Sequence, residues 1–188
     1  FQSRAHRIAS YLDGARLWNV SVETGLSVAA LAAPFDLAMV SMSKGLGAPG
    51  GSLLAGPKDL IRAAVRYRRM RGGAVRQVGL FAAAADHALD HHVERLAEDH
   101  ANAKRLAAAL ARSPRIRIDL ASVQTNVLVF DIVPDAAVPD AFAVVSRARD
   151  RGLLINSLSA TRIRALTHLD APAAACDAAA RILADILG

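Results

Sequence analysis

The sequence predicts an α/β fold, and three observations carry the prediction. Short apolar runs end in polar, glycine-containing turns; a long alanine-rich stretch follows with apolar residues near helical spacing; and the last third alternates strand-like with helix-like segments. The chain has 188 residues, 53% hydrophobic and 21% charged, which is enough apolar material for one sizeable core or for a core with a small second domain. That balance excludes the low-hydrophobicity, high-charge signature of a disordered chain.

Taken in order, Ile8 to Leu12 is an apolar run that stops at Asp13-Gly14-Ala15-Arg16. A buried strand ending in an acid and a glycine puts polar chemistry at its C-terminal edge, where open α/β sheets hold ligands. Ser21 to Ala33 reads as a helix or a pair of turns closed by Pro34. Phe35 to Ser41 is a second apolar run, leading into the loop from Ser43-Lys44-Gly45 to Gly50-Gly51. Ser52 to Ala55 resumes a strand, and Gly56-Pro57 turns the chain. A basic helix follows from Lys58 to Met70, carrying Arg62, Arg66, Arg68 and Arg69 on what reads as a solvated face, until Gly72-Gly73 interrupts it. From Val75 the pattern is helical, breaks near Asp90 to His92, and continues from Val93 to Leu110.

Composition shifts at Ser113-Pro114. Arg115 to Asp119 alternates like an exposed strand and Thr125 to Asp131 reads as a more buried one. A turn over Pro134 to Pro139, a helix over Ala141 to Arg149, strands over Leu153 to Ile155 and Thr161 to Thr167, and a helix over Ala173 to Leu187 complete a small α/β layer. A boundary near 112 therefore divides residues 1–112 from 113–188, with the helix from 93 to 110 as the bridge.

Composition also limits function. The 23 Lys and Arg residues against 17 Asp and Glu give a net charge of +6, which suits an anionic partner. Aromatic residues make up only 4% and are not interleaved with the arginines, which argues against nucleic acid. Apolar stretches are interrupted well before the ~20 residues that cross a bilayer, so no membrane partner is expected. Nor does Phe1-Gln2-Ser3-Arg4 begin a recognisable signal peptide. Cys176, the single cysteine, excludes an internal disulfide and a multi-cysteine metal cage, fits a reducing cytoplasmic setting, and reads as a small packing residue.

Two residues stand out chemically. Lys44 leaves an apolar strand beside Ser41 and Ser43 and faces a glycine-rich loop with room for a planar ligand. It is either an ordinary turn lysine or one whose amine loses its proton through desolvation and bonds a carbonyl cofactor. The Gly-x-x-x-x-Gly-Lys-[Ser/Thr] pattern is absent around it, which excludes a nucleotide P-loop. Asp13 is either a turn former or the carboxylate that keeps the ring nitrogen of a pyridoxal cofactor protonated. His87, His91, His92 and His100 have a spacing that invites a metal, but no convergent cage accompanies them and helix-surface or interface roles fit better, so no metal is expected.

The runs LDGARLWNV from Leu12, SKGLGAPGGS from Ser43, MRGGAVRQVG from Met70, HVERLAEDHANAKRLA from His92 and RIRALTHLD from Arg162 together resemble the low-specificity L-threonine aldolase family. The likeness runs in register from about Tyr11 to Asp170, departing at Gly50, where the family commonly has Val, and at Ala74, where a third glycine is common.

The resemblance implies pyridoxal 5'-phosphate as cofactor and a type I aminotransferase-like fold. Residues 1–112 would be the later part of the large cofactor-binding domain and 113–188 the small C-terminal domain. It implies Lys44 as the Schiff-base lysine and Asp13 as the partner of the pyridinium nitrogen. Arg16 would lie near the cofactor and help hold the substrate carboxylate, and Arg76 would reach the cofactor phosphate of a neighbouring subunit. Arg164 would clamp the substrate α-carboxylate, a task that suits a bidentate guanidinium, and His168 could support it. The implied reaction cleaves L-threonine or L-allo-threonine, a β-hydroxy-α-amino acid, to glycine and acetaldehyde, in a homodimer or homotetramer.

Family subunits are much longer. Their phosphate-cradling glycine loop and two site histidines have no counterpart upstream of Asp13, so a missing N-terminal segment is expected. Another type I pyridoxal enzyme, an aminotransferase or β-eliminating lyase, and a non-catalytic truncated fragment remain the alternative readings.

Overall fold

The computed structural model describes residues 5–188; the run Phe1 to Arg4, considered above for a signal peptide, lies outside the described residues. The chain divides into two compact units, Phe1–Leu96 and Ala97–Gly188.

The first unit is built on a three-stranded sheet, β1 (Tyr11–Gly14), β2 (Leu37–Ser41) and β3 (Ser52–Ala55), in that spatial order. β1 and β2 run parallel with Asp13 opposite Met39, and β3 returns antiparallel with Ser52 opposite Ser41. The parallel pair needs a crossover, supplied by helices α1 (Leu17–Thr24) and α2 (Val28–Ala32). Gly25 ends α1 because the left-handed backbone there (φ 72°) costs glycine no Cβ clash, and its N–H donates to the Ser21 carbonyl at 2.9 Å. The Ser27 hydroxyl caps α2 by accepting the Ala30 N–H at 3.1 Å.

β1 starts at Tyr11, later than the apolar run suggests. Ser10 is instead held by Asp36, whose Oδ2 accepts the Ser10 N–H at 2.7 Å and its hydroxyl at 2.9 Å.

Helix α3 (Lys58–Met70) follows, with Asp59 in its first turn and Arg68 and Arg69 in its last, the arrangement the helix dipole favours. No residue of α3 is buried. After Gly72, at φ +77°, comes α4 (Val78–His91). The expected break falls between His92 and Arg95, and α5 (Leu96–Leu110) begins there. Met42, Leu46, Ala48, Ala88 and Leu96 form the core of this unit, with Trp18, Val22 and Val40 packed against it.

The second unit holds an antiparallel sheet in the order β4-β5-β7-β6, where β4 is Ile116–Arg117, β5 Val127–Ile132, β6 Asn156–Ser157 and β7 Arg162–Leu166. Alternation decides its faces. Leu128, Phe130 and Ile132 on β5 and Ile163 and Ala165 on β7 point into the core, while Val129, Asp131, Arg162 and Arg164 share the opposite face. The core face is covered by Ala103, Leu106, Ala107 and Leu110 of α5, by Val144 and Ala148 of α6 (Ala141–Asp150), and by Leu183 and Leu187 of α7 (Ala173–Leu187). Because α5 contributes four residues to this core, the compact units divide at Leu96/Ala97, within the helix expected as the bridge.

Leu153 to Ile155, expected as a strand, is irregular; Gly152 turns the chain at φ +82° and pairing starts only at Asn156. Asp140 caps α6, its Oδ1 accepting the Ala143 N–H at 2.8 Å. Among the described residues no helix is long and apolar enough to cross a membrane.

Candidate functional site

Parallel pairing of β1 and β2 brings their C-terminal ends to one edge of the sheet. Asp13 is exposed in the last two residues of β1, and its Oδ1 accepts the Ala15 N–H at 3.1 Å, an Asx turn that orients the carboxylate at the strand end. Arg16, half-buried, follows as the N-cap residue of α1.

Lys44 lies just beyond the end of β2, and the loop that carries it is firmly anchored. Met42 and Leu46 flank it in the core at 2% and 1% exposure, whereas Lys44 itself is exposed. The Met42 N–H donates to the Gly51 carbonyl at 3.1 Å, the Gly47 N–H to the Lys44 carbonyl at 3.0 Å, and the Ala48 N–H to the Met42 carbonyl at 3.0 Å. Gly47 closes this turn at φ +72°, a conformation a side chain would oppose. Gly45 is required for space: a Cβ there would lie 2.6 Å from Oδ1 of the buried Asn19 and 3.0 Å from Leu96. The Ser41 and Ser43 hydroxyls face each other at 3.5 Å beside the lysine.

Asp13, Arg16 and Lys44 thus stand at one sheet edge. Arg76 is exposed on the connection between α3 and α4. Arg164 lies in the second unit, on the outer face of β7, in register with Val129 of β5 and Asn156 of β6. Its neighbour on that face, Arg162, is taken by Asp131 through a fork of 3.0 and 2.8 Å, while no described residue engages the Arg164 guanidinium. The Asp131 bonds hold Arg162 even more firmly protonated than usual. His168 follows β7 and turns to its own loop, where Nδ1 accepts the Asp170 N–H at 3.2 Å.

The histidines of α4 form a cluster of their own. His87 stands 4.4 Å from His91 and 5.5 Å from His92 between ring centres, and His92 Nδ1 lies 2.6 Å from the Leu46 carbonyl oxygen. Among the described residues no group of three or more His, Cys, Asp or Glu is placed to hold a metal ion. The bond from His92 to the Lys44 loop was not legible in the sequence, whose one pointer was the helix break beside it.

An α/β unit with an acid and a lysine at adjacent parallel strand ends, followed by an antiparallel α/β unit, is the architecture of pyridoxal-phosphate enzymes of type I. Solved structures agree: Leishmania major threonine aldolase superposes over 99% of this chain and 54% of its own, with a TM-score of 0.75 at 19% identity. The cysteine desulfurase CsdA of Escherichia coli superposes over 99% and 53%, with a TM-score of 0.71 at 17% identity.

Residues 2–133 match the beta-eliminating lyase family, and the chain belongs to that family. It is 36% identical over 166 residues to low-specificity L-threonine aldolase 1 of Arabidopsis thaliana, covering 88% of this chain and 46% of the relative. It is 37% identical over 168 residues to low specificity L-threonine aldolase of Escherichia coli K12, covering 89% and 48%. The chain spans about half the length of the curated relatives it matches.

Pyridoxal phosphate is the cofactor this family and fold imply, and the residues fit it. An exposed primary amine on an anchored loop can bond a carbonyl, a carboxylate at the neighbouring strand end can face a ring nitrogen, and an exposed guanidinium such as that of Arg76 can take phosphate.

Proposed function

We propose that this chain forms part of a pyridoxal-phosphate-dependent lyase that cleaves L-threonine or L-allo-threonine to glycine and acetaldehyde. The observation that carries the reading is the placement of Asp13 and Lys44 at the same edge of adjacent parallel strands, within a sequence similar to threonine aldolases over most of its length.

When bound, pyridoxal phosphate supplies an electron sink for the charge left at the substrate Cα as the Cα–Cβ bond breaks. Lys44 would hold the cofactor through its amine. Asp13 would favour the protonated ring nitrogen through its negative charge. Arg16 is assigned to the cofactor's surroundings and the substrate carboxylate, Arg164 to the substrate α-carboxylate, and Arg76 to the cofactor phosphate of a neighbouring subunit.

A homodimer or homotetramer goes with that role of Arg76. The exposed apolar residues Tyr67, Met70, Val75, Val78 and Leu80 around it support such contact. A cytoplasmic setting accords with a single, buried, unpaired cysteine. Residues 1–112 are assigned to the cofactor-binding domain and 113–188 to the small domain. Because the relatives are about twice as long, the full reaction belongs to this chain together with a segment corresponding to their remaining half.

The test is intact-mass analysis after incubation with pyridoxal phosphate and borohydride, with peptide mapping. A reduced adduct at Lys44 supports the reading, and its absence, also when the missing half is supplied, overturns it. The family match also favours a second reading, β-elimination. Product analysis separates them: a keto acid and ammonia mark elimination, glycine and acetaldehyde mark aldol cleavage.

A further inference from the structure

We infer that His92 is a positioning residue for Lys44, holding the lysine's loop at the sheet edge through the Leu46 carbonyl. The inference rests on the reading of Lys44 as the amine that bonds the cofactor.

The geometry begins with the Leu46 carbonyl. Lys44 must be free to reach a ligand, so the loop cannot be fixed through the lysine itself. It is fixed instead through Leu46, whose side chain is buried in the first unit's core and whose carbonyl oxygen lies 2.6 Å from His92 Nδ1. A carbonyl oxygen only accepts, so Nδ1 carries the hydrogen and donates. His92 is the C-cap residue of α4, and its own N–H donates to the Ala88 carbonyl at 2.8 Å, tying the imidazole to the helix end.

The ring has a second restraint. His87 meets it edge-on, with the ring planes at 88° and centres 5.5 Å apart, and His91 packs on His87 at 4.4 Å. A half-buried imidazole held this way loses little further freedom when it bonds Leu46. From the other side Gly45 lies against Asn19 of α1 so closely that even a methyl group would not fit. The residues on both sides of Gly45 are thereby restrained: Lys44 is the exposed end of a loop gripped between α1 and the end of α4. Anchoring of this kind matters because an amine that must meet a carbonyl carbon gains rate from being held in place.

Three measurements on the 188-residue chain test this. Nitrogen NMR of the unmodified protein should show His92 with hydrogen on Nδ1; a neutral ring with bare Nδ1 overturns the inference, since it cannot donate. His92→Leu should raise amide hydrogen exchange over residues 43–49 by roughly three- to tenfold, the weight of one hydrogen bond, while His92→Asn, which keeps a donor near the Nδ1 position, should stay within about twofold. Labelling of Lys44 by pyridoxal phosphate and borohydride, read against Lys58 and Lys104 in the same digest, should fall by a similar factor in His92→Leu and recover in His92→Asn.

Unchanged exchange and unchanged labelling in His92→Leu overturn the role of His92 while leaving the cofactor reading intact. No labelling of Lys44 in any of the three proteins, also when the missing half is supplied, removes the cofactor reading, and the role of His92 falls with it. Should His92→Leu fail to fold, the ring nitrogen signal and a loop that exchanges normally in His92→Asn still decide the matter.

Discussion

Asp13 and Lys44 leave two hydrogen-bonded parallel strands at the same edge of one sheet, the acid within β1 and the lysine just beyond β2. Strand direction alone produces this meeting. Had β2 run antiparallel to β1, the same residues would stand at opposite ends of the sheet.

Lys44→Ala is expected to reduce attachment of pyridoxal phosphate to background for that peptide, with labelling of Lys58 and Lys104 unchanged. Mapping the borohydride-reduced protein checks it. The Lys44 side chain is exposed and its amine has no partner among the described residues, so folding should be unaffected and the thermal midpoint should not move measurably.

Asp13→Asn keeps the shape and an acceptor for the Ala15 N–H but removes the negative charge. Retention of the cofactor is expected to weaken by roughly ten- to a hundredfold, as for loss of a charge-assisted hydrogen bond. Titration of the near-ultraviolet absorbance of the bound cofactor measures it.

Gly45→Ala would press a methyl carbon against Asn19 and Leu96. The expected cost is about 1–3 kcal/mol, in the range of overpacking a filled site. Urea unfolding followed by fluorescence of Trp18, which packs against the same core, provides the measurement.

Phe130→Ala removes one of the largest fully buried side chains of the second unit, 1% exposed. A loss of about 3–5 kcal/mol is expected, because the β5 face and the helices over it cannot collapse fully into the void. Far-ultraviolet circular dichroism in urea should show it.

Asp135 holds its carboxyl below the usual 3.8, first because Oδ1 accepts the Val138 N–H at 2.7 Å, and also through the Arg115 guanidinium 2.8 Å from Oδ2. A depressed folded value means stability that is present above about pH 3.8 and lost as pH falls through the lower folded value. Asp135→Asn should therefore be less stable than the unmodified chain at pH 7, with the difference shrinking toward pH 2. Urea midpoints across that range check the sign.

The sequence alone carried the α/β class and most strand positions, and it offered Lys44 and Asp13 as candidates. Hydrophobic periodicity, Gly and Pro punctuation and residue order are local properties that a linear reading can follow. It also placed the helix from Ala173 to Leu187 correctly, since an alanine-rich run after Pro172 has no competing pattern. It erred where long-range pairing decides. Ile8 to Ser10 looks like strand but Ser10 is claimed by the Asp36 carboxylate, and Leu153 to Ile155 looks like strand but Asn156 is the first residue to find a partner.

What only the tertiary structure decided is the company each residue keeps. Residue order cannot show that β2 lies parallel to β1, that α5 spends its apolar face on the second unit's core, or that Asp131 engages Arg162 while no described residue engages Arg164. Nor can it show that a histidine at the end of α4 grips the loop of a lysine far earlier in the chain. These are contacts between segments distant in sequence, set by packing and hydrogen-bond geometry in three dimensions, and no local pattern encodes them.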